Sequence, residues 1–239
     1  IMSRVEQFSC DYSRFDDTSY IGQLNSKGVV DDVPDELLDM LEFARQIYDD
    51  SEGAFNISIG GLLHDRGYGS QQRRAPVWPD PWPAIVIDDH HITIPHDMTL
   101  DLGGFGKGWL IDQVAELCEK QQLHYIINAG GDLRINSDQP IELGLEDPND
   151  PARLARTVTM TRGAVAASSR AKRRWQMAGT NYSHIVTPSG DEPTALAGSY
   201  VIAETALVAD SLATIALLRP DLVKKLTHAY DAQIDLVAI

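Results

Sequence analysis

The sequence predicts an α+β protein with mixed or antiparallel sheets and flanking helices. Three observations carry that expectation. Helical segments fall between pairs of strands rather than after single strands, which disfavours a doubly wound parallel sheet. Strand pairs meet across tight turns at Asp89-His90 and Gly130-Gly131. The 239-residue chain is 43% hydrophobic and 23% charged, a globular balance that excludes a disordered, collagen-like or coiled-coil chain. At about 150 residues per domain, this length fits one large domain or two intimate ones. A core of that size needs no disulfide staples.

Val5 and Phe8 lie at helical spacing, so the chain opens in an amphipathic helix. The polar cluster Phe15-Asp16-Asp17-Thr18-Ser19 breaks it. Residues 34–48 form a second helix: Pro34 suits the first turn, Asp35 and Glu36 complement the N-terminus, and Leu37, Leu38, Leu41 and Ala44 make one face. Gly53-Ala54-Phe55-Asn56-Ile57 ends it in a turn and a short extended piece. Residues 67–83, rich in Gly, Pro, Gln and Arg, read as a loop and a module boundary within an otherwise single domain. Residues 84–88 and 91–95 pair as strands. Residues 109–121 are helical, with Leu110, Val114, Leu117 and Cys118 on one face. Residues 125–135 read as strand, Gly-Gly turn, strand. Short strands follow at 141–145, 158–160, 164–167, 183–186 and 199–203. Residues 206–218 and 220–230 are helices, and 234–239 returns as a strand. The most apolar stretch, 206–218, is interrupted by Asp210, Ser211 and Thr214, and no run reaches bilayer-spanning length.

Lys and Arg total 20 and Asp and Glu total 35, giving a formal charge of −15. Such a chain is a poor non-specific binder of nucleic acid or anionic lipid, because neutralising phosphates requires clustered cations. An anionic substrate would need a local positive element: a metal, or exposed backbone N–H groups. Cys10 and Cys118 lie far apart and form no C-x-x-C motif, which excludes a zinc ribbon or thioredoxin site. A disulfide and two free thiols both stay open.

Five segments can carry chemistry. Asp101-Leu102-Gly103-Gly104-Phe105-Gly106-Lys107-Gly108 sits at a strand-to-helix junction. Its glycines permit close backbone approach to a ligand, and the following helix N-terminus attracts anions. It reads either as a phosphate cradle or as a tight structural turn. It is not a P-loop, since Gly108 stands where Ser or Thr should hold magnesium, and its glycine spacing is one short of a dinucleotide fingerprint. In Ala209-Asp210-Ser211-Leu212-Ala213-Thr214, Asp210 and Thr214 are i and i+4 on a helix. A carboxylate and a hydroxyl one turn apart suit Mg²⁺, which keeps waters and substrate phosphates as its other ligands. Alternatively, Asp210 caps or salt-bridges and Thr214 bonds its own helix backbone. His184, at a strand start before Pro188 and Gly190, is either a general base or a structural histidine. Asn128-Ala129-Gly130-Gly131-Asp132 is a hairpin turn, or a loop presenting N–H groups and Asp132 to a ligand. The basic run Arg170-Ala171-Lys172-Arg173-Arg174-Trp175 is a solvated face, or helps hold phosphate or an acidic partner. His90, His91 and His96 read as surface residues.

The order of these motifs resembles the ApbE family, FAD:protein FMN transferases also labelled thiamine-biosynthesis lipoproteins. It runs from Ser13-Arg14-Phe15, Ser19 and Leu24-Asn25, through Gly53-Ala54-Phe55-Asn56 and Asp101 to Gly108, to Asn128 to Asp132, Ser183-His184-Ile185 and Ala209 to Thr214. The resemblance covers residues 13–218, nearly the whole chain. It implies FAD as substrate, Mg²⁺ at the pyrophosphate, and transfer of FMN to a Thr or Ser hydroxyl of an acceptor flavoprotein subunit, with release of AMP. FAD hydrolysis to FMN and AMP, or flavin binding without turnover, are the alternatives. Carried over by motif, Ala54, Phe55 and Asn56 line the flavin or adenine site, and Asp101, Lys107 and Ile185 contact FAD. Phe15 stands where the family places an aromatic, often Tyr, near the cofactor. The backbone oxygen of Gly104 with Asp210 and Thr214 holds Mg²⁺, and His184 is the base. Two positions depart. The family's His-Ile-x-Asp-Pro-x-Thr-Gly is here His184-Ile185-Val186-Thr187-Pro188-Ser189-Gly190, one residue shorter and without the Asp, and Asn56 is often Asp. The resemblance also implies strands ahead of the opening helix. It further implies a periplasmic protein whose lipid anchor would precede Ile1, cytoplasmic placement being the alternative.

Overall fold

A computed structural model describes residues 1–68, 76–170, 174–177, 179–191 and 196–239. Contacts divide the chain into two compact units: Gly103–Trp175 with Glu192–Ile239 and Ile1, and Met2–Leu102 with Gln176–Asp191. The described residues on either side of 69–75 belong to the same unit. No helix among the described residues is long and apolar enough to cross a membrane.

The first unit is built on one sheet. Its strands are β4 (Tyr125–Ala129), β5 (Asp132–Asp147), β6 (Asp150–Ser169), β9 (Leu196–Ala203) and β10 (Gln233–Ala238), in the order β10-β9-β6-β5-β4. Every pair is antiparallel. Helices α5 (Gly106–Lys120), α6 (Ala206–Leu218) and α7 (Val223–Ala229) complete the unit. Register aligns Ala164, Ala166 and Ser168 with Ala203, Val201 and Ser199. Period-2 alternation puts these small side chains on one face, where α6 lies close enough for Ser199 Oγ to donate to Ala213 O at 2.5 Å. Nine of the thirteen α6 residues are buried, which explains a helix apolar on all sides. A second buried cluster joins Val165 and Tyr200 to Leu145 and Val158 from the outer half of the β5–β6 hairpin.

The second unit contains α1 (Met2–Tyr12), α2 (Tyr20–Lys27), β1 (Val29–Val30), α3 (Asp35–Asp50), a 3₁₀ turn (Ile57–Ile59), α4 (Gly60–Asp65), β2 (Val86–Asp88) and β3 (His91–Thr93). The three strands form a small antiparallel sheet, β1-β3-β2. Leu37, Met40, Leu41, Ala44 and Ile47 are the buried face of α3. Buried Asn25 on α2 donates to Leu100 O at 2.9 Å and accepts from Leu100 N–H at 2.7 Å. An amide side chain thus closes a two-bond rung in place of a strand.

The α+β expectation holds, and several element boundaries are corrected. The Phe15–Ser19 cluster is followed by a second helix. Ser19 is its N-cap, accepting from Gly22 N–H at 2.9 Å, and Gly28 closes it at φ 78°. After Gly53, Asn56 is extended (φ −133°, ψ 118°) and caps the helical turn that follows. The short strands expected at 141–145, 158–160 and 164–167 merge into β5 and β6. The pairing shifts between Asn136 and Ile141, so Pro140 sits at an irregularity rather than ending the strand. The strand expected at 183–186 stops at Ser183, the end of β8 (Thr180–Ser183), which pairs with β7 (Arg174–Met177). Residues 220–230 divide into a 3₁₀ turn and α7. Both cysteines are free thiols, Cys10 exposed and Cys118 buried.

Candidate functional site

In the first unit, the glycine-rich turn is anchored by Phe105, which is fully buried. Lys107 follows as the second residue of α5. A Cβ on Gly108 would lie 2.5 Å from Ala206 O, so α5 and α6 meet at van der Waals distance only because this residue is glycine. That approach lets Gly108 N–H donate to Asp210 Oδ2 at 3.0 Å. Asp112, one turn further along α5, accepts from Ala206 N–H at 2.9 Å and Leu207 N–H at 2.8 Å, and pairs with Arg134. A carboxylate from one helix therefore caps the positive end of the other. Beside it, burial and then a hydrogen bond to Glu119 push the Tyr125 hydroxyl up to about 12.

This clasp delivers Asp210 to a charged cluster. Lys107 Nζ lies 3.2 Å from Asp210 Oδ1 and also pairs with Asp132 Oδ2. The two carboxylate side chains are 10% and 5% exposed. Asp132 Oδ1 accepts from Ala167 N–H at 3.3 Å. Thr214 Oγ1, one turn along α6, is 3.2 Å from Ser168 Oγ. Ser168 is an addition to the expected residues, and Asp132, expected as the alternative to a plain hairpin turn, joins Lys107. The Gly-Gly turn that presents Asp132 was visible as a motif. Gly130 and Gly131 take φ 70° and 107° there, with nothing within 4 Å of either added Cβ, so conformation rather than space requires glycine. Nothing in the sequence marks Ser168, which the β6–β9 register brings to the α6 face.

The donors gathered here are all oxygen, two carboxylates and two hydroxyls, and the expected Gly104 lies half-buried two residues before α5. That chemistry fits a small hard dication completing its shell with water and phosphate oxygens. No group of three or more His, Cys, Asp or Glu able to hold a metal occurs among the described residues. Hydroxyl, carbonyl and external ligands would therefore have to supply the rest.

In the second unit, Arg14 organises the expected residues Asp101 and Phe15. Its Nε lies 2.8 Å from Asp101 Oδ2, and its Nη2 donates to Tyr68 O at 2.9 Å. Its guanidinium stacks 4.4 Å from the Phe15 ring and 5.4 Å from that of Tyr68. Phe15 itself is 54% exposed. Asp101 N–H donates to Ile57 O at 2.7 Å, which joins this pair to the Ala54-Phe55-Asn56 turn. Phe55 and Asn56 are buried and Ala54 is half-buried. Asn56 Nδ2 donates to Trp78 O at 2.7 Å, and its Oδ1 accepts from Ser58 N–H at 2.8 Å. The amide serves both contacts, where an ionised carboxylate could only accept.

His184 is half-buried and Ile185 buried. The turn after them, shorter than the family pattern, closes through hydroxyls. Asp191 N–H donates to Thr187 Oγ1 at 3.0 Å, and Ser189 Oγ donates to Asp191 Oδ2 at 2.7 Å. The carboxylate of this turn enters from Asp191, beyond Gly190. Of the basic run, Ala171, Lys172 and Arg173 lie outside the described residues. His90 and His91 are partly exposed, as expected.

Comparison with known proteins gives these residues a context. The FAD:protein FMN transferase of Vibrio cholerae is 26% identical over 188 residues, covering 69% of this chain and 55% of that protein. Its Escherichia coli K12 counterpart is 24% identical over 225 residues, covering 82% of this chain and 63% of that protein. The matches thus span little more than half the length of these relatives. Among solved structures, the ApbE protein of Thermotoga maritima superposes with a TM-score of 0.87 at 22% identity, over 99% of this chain and 84% of that one. Flavin transferase ApbE of Vibrio cholerae gives 0.76 at 19% identity, over 99% and 82%. The sequence profile of the ApbE family matches residues 1–237, and the chain belongs to that family.

Proposed function

We propose that this chain is an FAD:protein FMN transferase, moving the FMN half of FAD to a Thr or Ser hydroxyl of an acceptor protein and releasing AMP. The observation that carries the reading is the cluster of Lys107 with Asp132 and Asp210, and Thr214 one turn beyond Asp210 on α6. In a chain of charge −15, it is a prepared cation seat beside a helix N-terminus, the element an anionic pyrophosphate needs. The names of the relatives support the substrate and the protein acceptor. Asp210, Thr214 and the Gly104 carbonyl would hold Mg²⁺, with Asp132 in reach of the same seat. The ion, when bound, supplies charge neutralisation for the two phosphates.

Lys107 faces the phosphates. Asp101, held by Arg14, orients FAD with Ile185 and the Ala54-Phe55-Asn56 turn. His184 takes the proton of the acceptor hydroxyl as its oxygen bonds to the FMN phosphorus. The phosphorus–oxygen bond to AMP breaks in the same displacement. The test is AMP release from FAD with and without Mg²⁺, and with and without a Thr-containing acceptor domain, reading acceptor mass in the same samples. AMP with a flavinylated acceptor, dependent on Mg²⁺, is expected. AMP with free FMN and an unmodified acceptor would replace transfer by hydrolysis. No AMP from bound FAD would refute catalysis.

A further inference from the structure

The carboxylates of the seat already face a cation, and it is the chain's own Lys107. Each buried carboxylate has one oxygen fixed on a backbone N–H: Asp210 Oδ2 on Gly108 and Asp132 Oδ1 on Ala167. Each turns its other oxygen to Lys107 Nζ. Both carboxylates thus face the same ammonium, which is itself 34% exposed. Carboxylates this deeply buried need a positive partner, and a long flexible ammonium is one that can leave.

We propose that Lys107 is an exchangeable counter-ion: it holds Asp132 and Asp210 together until a divalent cation takes them, and the displaced ammonium then becomes available to the phosphates of the substrate. This rests on the metal-dependent reading above, and it adds Asp132 to the residues that compete for the cation. Dication binding and phosphate binding are then ordered by one side chain. While the seat holds Lys107, its charge is spent on the carboxylates. Once the seat holds a dication, the same charge faces outward.

The test measures Mn²⁺ binding without FAD, by calorimetry and by the electron paramagnetic resonance of free Mn²⁺, for the wild-type chain and Lys107→Met. Removing the competing ammonium should tighten Mn²⁺ binding about tenfold, equivalent to about 1.4 kcal/mol. A second measurement needs no variant. Reductive methylation of Lys107, followed by peptide mass spectrometry, should run severalfold faster in wild type with saturating Mn²⁺ than without. Equal or weaker binding by Lys107→Met, or labelling that Mn²⁺ leaves unchanged, overturns the counter-ion role and leaves the metal site standing. No Mn²⁺ binding by either protein overturns both.

Discussion

Gly108→Ala isolates the contact on which the first unit's site depends. The new methyl would sit 2.5 Å from Ala206 O, 2.8 Å from Ala206 C and 2.8 Å from Leu207 Cα. All three are backbone atoms in the first turn of α6, so no rotamer change relieves the overlap. Alanine in a helix is ordinarily worth about 0.5–1 kcal/mol over glycine. Against that, overpacking costs about 1–3 kcal/mol. Moving α6 outward also stretches the Gly108 N–H bond to the Asp210 carboxylate, worth about 1.5–3 kcal/mol. The net is a loss of about 2–5 kcal/mol. For a chain of this size that lowers Tm on the order of 10 °C. Thermal and urea unfolding followed by circular dichroism measure it. Gly130→Ala is the control: it meets nothing within 4 Å but keeps φ +70°, so it should lose about 1–2 kcal/mol from backbone strain alone. A Gly108→Ala protein as stable as wild type, or more so, would refute the close approach of α5 and α6.

Three further outcomes follow from the same geometry. Asp112→Ala removes the cap on Ala206 and Leu207 and the partner of Arg134, and should cost about 2–4 kcal/mol in urea unfolding; a change under about 0.5 kcal/mol would make the cap incidental. His184→Ala should retain FAD binding, read by flavin fluorescence, and lose FMN transfer by about 10²-fold or more; transfer at the wild-type rate would make His184 structural. His90 Nδ1 donates to Val33 O, and this bond, reinforced by Asp89, Asp35 and Asp32, raises its pKa above the usual 6.5. The protonated form is therefore favoured by folding. Its stabilising effect is complete below about pH 6.5 and fades as pH rises through the raised value. Tm across that window should fall more in wild type than in His90→Gln, and parallel curves would remove His90 as the cause.

The sequence exposed those parts of the site that lie within one element. Asp210 and Thr214 are spaced by a single helical turn, and Lys107 follows its glycines directly, so local periodicity suffices. Asp132 and Ser168 join them only because an antiparallel register brings two strand ends to the α6 face, and alternation in a strand carries no mark of which serine will find a threonine. Arg14 was hidden for a similar reason: its partner Asp101 lies 87 positions away, the difference between their numbers. Among elements, the short strands expected on either side of Pro140 and Gly163 run together into β5 and β6. The sheet absorbs both, one at a register shift and the other at φ 120°. Helix α2 was missed because its N-cap lies inside the polar cluster that ends α1, and a cap and a break are written with the same residues.

The counter-ion role of Lys107 bears on folding as well as on ligands. The residues of the seat come from the start of α5, the start of β5, the end of β6 and the middle of α6, so the seat exists only when the first unit is folded. Two buried carboxylates without a cation would repel each other and each carry a desolvation cost. If a dication were the only available partner, folding and metal binding would be one event, and chelation would unfold the unit. An internal ammonium separates them: the unit closes on Lys107 and exchanges it later. Lys107→Met should therefore make Tm strongly metal-dependent, with a lowered Tm in chelator that millimolar Mn²⁺ restores. The wild-type Tm should shift far less between the same two conditions, because there the dication must first displace a partner that is already stabilising the fold. Equal Mn²⁺-induced shifts in the two proteins would mean that the carboxylates do not depend on Lys107 for their place in the core.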